Sequence, residues 1–157
     1  HPEINEETAE KFCQNSLFFY TGIRRSSEEV LRDQKLATAL DLELKHKTKE
    51  IGRETLHAFK TDNLELFAHL MNKHWDLKKQ MSSKITGPEI DEMYAFCMKN
   101  GALGGKLVGA GGGGYLFFYC RSIEDKQRLG QLVHDRGLKI IPIEIDYRGT
   151  RVRKLEL

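Results

Sequence analysis

An α+β fold, with helices packed on an antiparallel sheet, is the class this sequence predicts, and three observations predict it. Uncharged aromatic segments at 17–20 and 115–120 have strand composition and are too short for helices. Between them, residues 41–99 repeat apolar positions at three- and four-residue steps, the helical period. More than half of the chain's 14 glycines fall at 101–114, directly before the second aromatic segment, so the glycine turn joins strand to strand.

Taken in order, Asn5 caps a first helix over 6–14, with Ala9, Phe12 and Cys13 facing inward. Leu17-Phe18-Phe19-Tyr20 follows as a strand closed by Thr21-Gly22. Ser26 and Glu29 form a capping box that opens a helix immediately after Arg24-Arg25. Over 41–60, Leu44, Ile51 and Phe59, with Thr48 and Thr55 between them, make one apolar stripe, while Lys45, His46, Lys47, Lys49 and Glu50 make a solvated face. Asp62 with Glu65 starts the next helix, whose Leu64, Phe67, Met71 and Trp75 share a side widened by Leu66, Leu70 and Leu77, broad enough for two neighbours. Thr86 with Glu89 repeats the capping pattern; Ile90, Met93, Tyr94 and Cys97 line that helix, and Gly101 stops it. A strand over 103–108, the glycine turn, and the strand over 115–120 come next. A helix over 122–137 packs through Leu129, Leu132, Val133 and the stem of Arg136. A strand over 138–145 carries Pro142, which favours a sheet edge, and a short strand near 150–155 ends the chain. Two βαβ-type halves split over one antiparallel sheet make a ferredoxin-like sandwich with additional helices in its first half.

Composition narrows the functional classes. At 157 residues the chain suits a single domain, which buries about 70% of its unfolded surface. A net charge of +2, with both signs nearly balanced, gives no global argument for nucleic acid. The longest apolar run, at 115–120, falls far below the ~20 residues of a membrane helix, and the start lacks a signal-peptide layout, so a cytoplasmic location without membrane association is expected. The sequence opens His1-Pro2, and a piece of a longer polypeptide is the expectation. Cys13, Cys97 and Cys120 are too scattered for a zinc site and read as reduced thiols. His69 and His74 project from different sides of a helix and make no metal pair. Trp75 and Met71 read as core, and Lys106 as a solvated strand-end lysine.

The chemistry concentrates in the glycine turn. Residues 109–114 satisfy G-x-G-x-x-G, but a strand follows where the dinucleotide fingerprint needs a helix. Gly105-Lys106 is followed by Leu107 where a P-loop needs Ser or Thr. A turn of this composition can still lay backbone N–H groups against an anion.

The whole stretch Gly-Ala-Leu-Gly-Gly-Lys-Leu-Val-Gly-Ala-Gly-Gly-Gly-Gly-Tyr resembles the third signature motif of the GHMP kinases, the superfamily of galactokinase, homoserine kinase, mevalonate kinase and phosphomevalonate kinase. Phe19-Tyr20-Thr21-Gly22-Ile23-Arg24-Arg25-Ser26-Ser27, His74-Trp75-Asp76-Leu77-Lys78-Lys79 and Ile90-Asp91-Glu92-Met93 are similar to its sugar-kinase branch, above all to heptose 7-phosphate kinases. The resemblance implies the C-terminal domain of an enzyme that transfers the γ-phosphate of ATP to a sugar or sugar phosphate, with ATP and magnesium as cofactors. It places Gly109, Ala110, Gly111, Gly112 and Gly113 near the nucleotide phosphates, and Thr21, Gly22 and Arg25 at the substrate edge. For Arg25 an ordinary ion pair with Glu28 or Glu29 is an equal alternative. Val108 stands where many relatives have Thr or Ser. The family's Gly-Leu-Gly-Ser-Ser-like ATP loop and its aspartate base are not in this sequence. Both belong to an N-terminal kinase domain, the expected partner, so this chain alone carries no catalytic residue and is expected to be inactive. Without that partner an apolar face would be exposed, and self-association of the fragment follows.

A second class is a non-catalytic ferredoxin-like module that binds RNA on Tyr115, Phe117 and Tyr119 with help from the basic tail Arg148, Arg151, Arg153 and Lys154. The strand lacks the Lys/Arg-Gly lead of the RNA signature, and a glycine run has no use in base stacking.

Overall fold

The computed structural model describes residues 4–24, Glu28 and residues 39–147. The helix expected after Arg24-Arg25 and the strand near 150–155 lie outside these residues, as does the basic tail. Along the chain come α1 (Glu6–Asn15), β1 (Ser16–Tyr20), α2 (Ala39–Lys60), α3 (Leu64–Gln80), α4 (Pro88–Lys99), β2 (Ala102–Val108), β3 (Tyr115–Cys120), α5 (Ile123–Asp135) and β4 (Lys139–Ile141). The described strands form one sheet in the order β2-β3-β1-β4, with every neighbouring pair antiparallel. That order is ferredoxin-like, with extra helices between β1 and β2. Among the described residues no helix is long and apolar enough to cross a membrane.

Local chemistry explains most element ends. Asn5 accepts from the Glu7 N–H at 3.1 Å and Ser122 from the Asp125 N–H at 3.1 Å, two side-chain caps that read directly from sequence. The expected cap at Asp62 moves by one residue: Asp62 takes φ 54° and Asn63 accepts from the Leu66 N–H at 3.0 Å. The expected Thr86–Glu89 box does not form. Gly87 occupies the cap position without a side-chain bond, and the Thr86 hydroxyl donates to Asp91 at 2.7 Å instead. The last described strand is also shorter than 138–145, because β4 stops at Ile141 just before Pro142, which has no N–H for the ladder.

The sheet divides the core. Leu17 and Phe19 of β1 and Leu116, Phe118 and Cys120 of β3 face α4 and α5, where Ile90, Cys97, Leu129 and Val133 are buried. On the opposite face, register aligns Val108, Tyr115, Tyr20 and Lys139 in one row across four strands, and Lys106, Phe117, Phe18 and Ile141 in the next. Phe12 and Phe67 pack over Phe117 and Tyr119 at ring-centre distances of 5.6–6.5 Å through the set they form together. Those two aromatics are therefore roofed, and β3 does not present the three-ring platform an RNA reader needs. The Tyr20, Phe18 and Tyr115 end of the same face stays partly open.

Helix α3 closes the β2 edge. Asn72 donates to the Leu103 carbonyl and accepts from the Gly105 N–H, both at 3.0 Å, and the Tyr94 hydroxyl donates to the same amide oxygen at 2.6 Å. One side chain thus pairs the backbone groups an edge strand leaves open. The approach is so close that a Cβ on Gly104 would lie 1.9 Å from the Ala68 carbonyl oxygen.

Candidate functional site

The glycine turn between β2 and β3 forms one wall of a cleft of about 680 Å³. Its lining combines Gly109, Ala110, Gly111, Gly113 and Gly114 with Tyr20, Ile23, Arg24, Val108, Tyr115, Lys139 and Ile141. Among the described residues two cations and no carboxylate face it, so an anion is the charge it suits. Its floor is aromatic: Phe18 stacks on Tyr115 with ring centres 5.0 Å apart, and Tyr20 lies 5.3 Å from the same ring. Arg24 Nε donates to the Tyr20 hydroxyl at 3.4 Å, which orients the guanidinium across the rim.

The turn is held from behind. Gly109, Gly111, Gly112, Gly113 and Gly114 all have positive φ, a backbone path only glycine follows without strain. The Gly112 N–H donates to the Ile85 carbonyl at 2.7 Å and the Gly114 N–H to the Ile23 carbonyl at 3.0 Å. The Gly114 carbonyl accepts from both the N–H and the hydroxyl of Thr21, at 2.8 and 2.9 Å. With these tethers made, the N–H groups of Ala110, Gly111 and Gly113 have no acceptor among the described residues. They are donors that the described carbonyls leave uncommitted, which an anion cradle requires.

The expected site residues therefore separate. Gly109, Ala110, Gly111 and Gly113 line the cleft, while Gly112 is buried and spends its N–H on Ile85. Thr21 is 3% exposed and works as a tether behind the loop, with Gly22 beside it at φ 79°. Arg25 lies outside the described residues, and Arg24 is the arginine that faces the cleft. Lys106, expected in solvent, is half-buried: its ammonium donates to His74 Nδ1 at 2.8 Å. Burial and the neighbouring Lys78 bring the Lys106 pKa down to about 8. Burial, Lys106 and Lys78 press that of His74 to about 4, so its ring is neutral and Nδ1 is free to accept. Lys139 was not singled out by its sequence context; only the register of β4 against Tyr20 brings it to the cleft.

The glycine-turn geometry meets an independent likeness. The profile of the family described as GHMP kinases C terminal matches residues 55–135, just over half of the chain. The chain belongs to this GHMP kinase family. Among curated proteins this GHMP kinase segment is 28% identical over 136 residues to D-glycero-alpha-D-manno-heptose 7-phosphate kinase of Campylobacter jejuni, covering 85% of this chain and 40% of that protein. It is likewise 28% identical over 162 residues to L-fucokinase/L-fucose-1-P guanylyltransferase of Bacteroides fragilis, covering 98% of this chain and 16% of that protein. Among solved structures, Methanococcus jannaschii mevalonate kinase superposes with a TM-score of 0.68 at 26% identity, over 88% of this chain and 42% of that one. The chain thus spans less than half the length of each of these three relatives.

Proposed function

We propose that this chain supplies the phosphate-facing wall of an ATP-dependent sugar or sugar-phosphate kinase site. The observation that carries the proposal is a cleft whose described lining holds no carboxylate, where the Ala110, Gly111 and Gly113 N–H groups, without an acceptor among the described residues, stand beside Arg24 and Lys139. Backbone donors fixed in place suit phosphoryl transfer, where catalysis is positioning and charge stabilisation. The heptose-phosphate and fucose kinases among the relatives support a sugar hydroxyl as acceptor. ATP fits this donor set through its phosphates. Magnesium does not: it needs hard oxygen ligands, and among the described residues no carboxylate lines the cleft and no His, Cys, Asp or Glu group is able to hold a metal. Metal ligands, adenine pocket and catalytic base belong to an N-terminal partner domain, in a cytoplasmic enzyme.

Two measurements test this. With labelled ATP and heptose 7-phosphate, the 157-residue chain should show no turnover; robust turnover refutes the shared-site reading. Titrating the ¹⁵N-labelled chain with ATP near neutral pH should move the amide signals of Ala110, Gly111 and Gly113 more than that of Gly112. Unmoved loop amides at saturating ATP refute the phosphate-facing role.

A further inference from the structure

The stretch His74-Trp75-Asp76-Leu77-Lys78-Lys79 ends α3, and the cleft lining takes up none of it. Packing accounts for half of the segment. Trp75 is fully buried, Lys79 pairs with Asp76 at 3.0 Å, and the Lys79 ammonium lies 5.7 Å from the Trp75 ring centre. Lys78 and His74 turn instead to the root of the glycine loop. Lys78 Nζ donates to the Gly109 carbonyl, and His74 Nδ1 accepts from Lys106 Nζ at 2.8 Å.

Two ammonium groups are thereby gathered in one half-buried place, and neither has a carboxylate partner among the described residues. Like charges taken partly out of water oppose each other and gain nothing until a counter-charge arrives. The place is continuous with the cleft. Gly109, which Lys78 holds, lines the cleft and precedes the Ala110 N–H; Lys106 shares its sheet face with Val108 and Tyr115, which also line it.

We propose that Lys78 and Lys106, the latter held by its hydrogen bond to His74, are the cationic part of an anion site at the root of the glycine loop, and that its ligand is a phosphate dianion. The inference rests on the phosphate-facing reading of the loop and adds the full charges that backbone N–H groups lack. A dianion draws protons onto both lysines, so binding weakens as pH rises and Lys106 becomes neutral in the free protein. The groups facing Lys106 are His74 and Lys78 from α3 and the uncharged Phe117 from β3, while α4 and α5 pack on the other side of the sheet.

Sulfate tests this, because it stays dianionic across the whole range. The ¹³C-labelled chain is titrated with sulfate at constant ionic strength set by chloride, following the Ala110 methyl signal, which does not exchange with water. Wild type should bind about tenfold more weakly at pH 9.5 than at pH 7. K106M and K78M should each bind about tenfold more weakly than wild type at pH 7, and K106R should retain affinity with a flatter pH profile. Circular dichroism checks the fold of each variant; should K106M unfold, the K106R profile decides alone, and one as steep as wild type overturns the inference. Wild-type binding that K106M and K78M both match also overturns it and leaves the loop reading intact. No sulfate binding by wild type at any pH, with unmoved loop amides in the ATP titration, overturns both.

Discussion

Gly104→Ala tests how α3 is seated on the sheet, and the structure sets its magnitude. The new Cβ would lie 1.9 Å from the Ala68 oxygen, 2.5 Å from its carbonyl carbon and 3.0 Å from its Cα, all backbone atoms that no rotamer change can move. Restoring ordinary contact requires the helix to retreat by about 1.5 Å, in an interior packed too densely to absorb the shift elsewhere. The two Asn72 bonds at 3.0 Å then stretch to about 4.5 Å and are lost. Each backbone group left without a partner at the β2 edge costs about 1–3 kcal/mol, and the reduced freedom of the unfolded chain returns about 0.5–1 kcal/mol. The net expectation is a loss of about 3 kcal/mol. Urea unfolding followed by the fluorescence of Trp75, the one tryptophan, reads it as a midpoint lower by about 1–3 M. Gly52→Ala is the control: it sits in α2 with nothing within 4 Å of a new Cβ and should stabilise by up to about 1 kcal/mol. A Gly104→Ala midpoint indistinguishable from wild type would refute the close seating of α3 on β2.

Two further outcomes follow from the site. Gly113→Ala puts a Cβ 2.5 Å from the Ile23 carbonyl oxygen at φ 156°, whereas Gly109→Ala meets nothing within 4 Å and bears only the strain of φ 91°; thermal melts should show about 1–2 kcal/mol lost in Gly109→Ala and at least twice that in Gly113→Ala. His74 has a folded pKa near 4, below its ordinary 6.5, so the unfolded state binds the extra proton between these values and stability falls as pH drops through that window, with no further loss from this group below it. Half-exposure trims the effect to about 1.5 kcal/mol, and a His74→Gln profile with the same acid slope as wild type refutes it.

What the sequence made legible is what local patterns encode. Strand composition at 17–20 and 115–120, helical periodicity through Trp75, and the caps at Asn5 and Ser122 depend on neighbouring residues alone, and the element order followed from them. A glycine turn between strands was legible as a backbone-built feature. Which of its N–H groups stay uncommitted was not, because the acceptors that take the others are the carbonyls of Ile23 and Ile85, and carbonyls have no side-chain signature. Lys106 shows the same limit. Strand alternation puts it on a face, but only α3 lying along the β2 edge makes that face half-buried and brings His74 to it. Asn72 had a faint signal, an amide between Met71 and Trp75 in an apolar helix; its purpose needed the edge strand.

The tethers and the glycines are two parts of one arrangement. A run of glycines has the largest backbone freedom to lose, so a loop of this composition left unheld would spread over many conformations and bind an anion only after ordering. Here two amides are committed: Gly112 and Gly114 donate to Ile85 and Ile23, while Gly113 between them and Gly111 before them have no acceptor among the described residues. Fixing these two peptides restricts their neighbours, so the uncommitted donors are ordered before any anion arrives. Side-chain bonds from Thr21 and Lys78 hold the two ends of the same turn. Loosening the Thr21 tether should therefore weaken anion affinity without changing the charge of the cleft, and losing Lys106, which bonds His74 and not the loop, should weaken it without disordering the loop. Those two signatures separate geometry from electrostatics at one site.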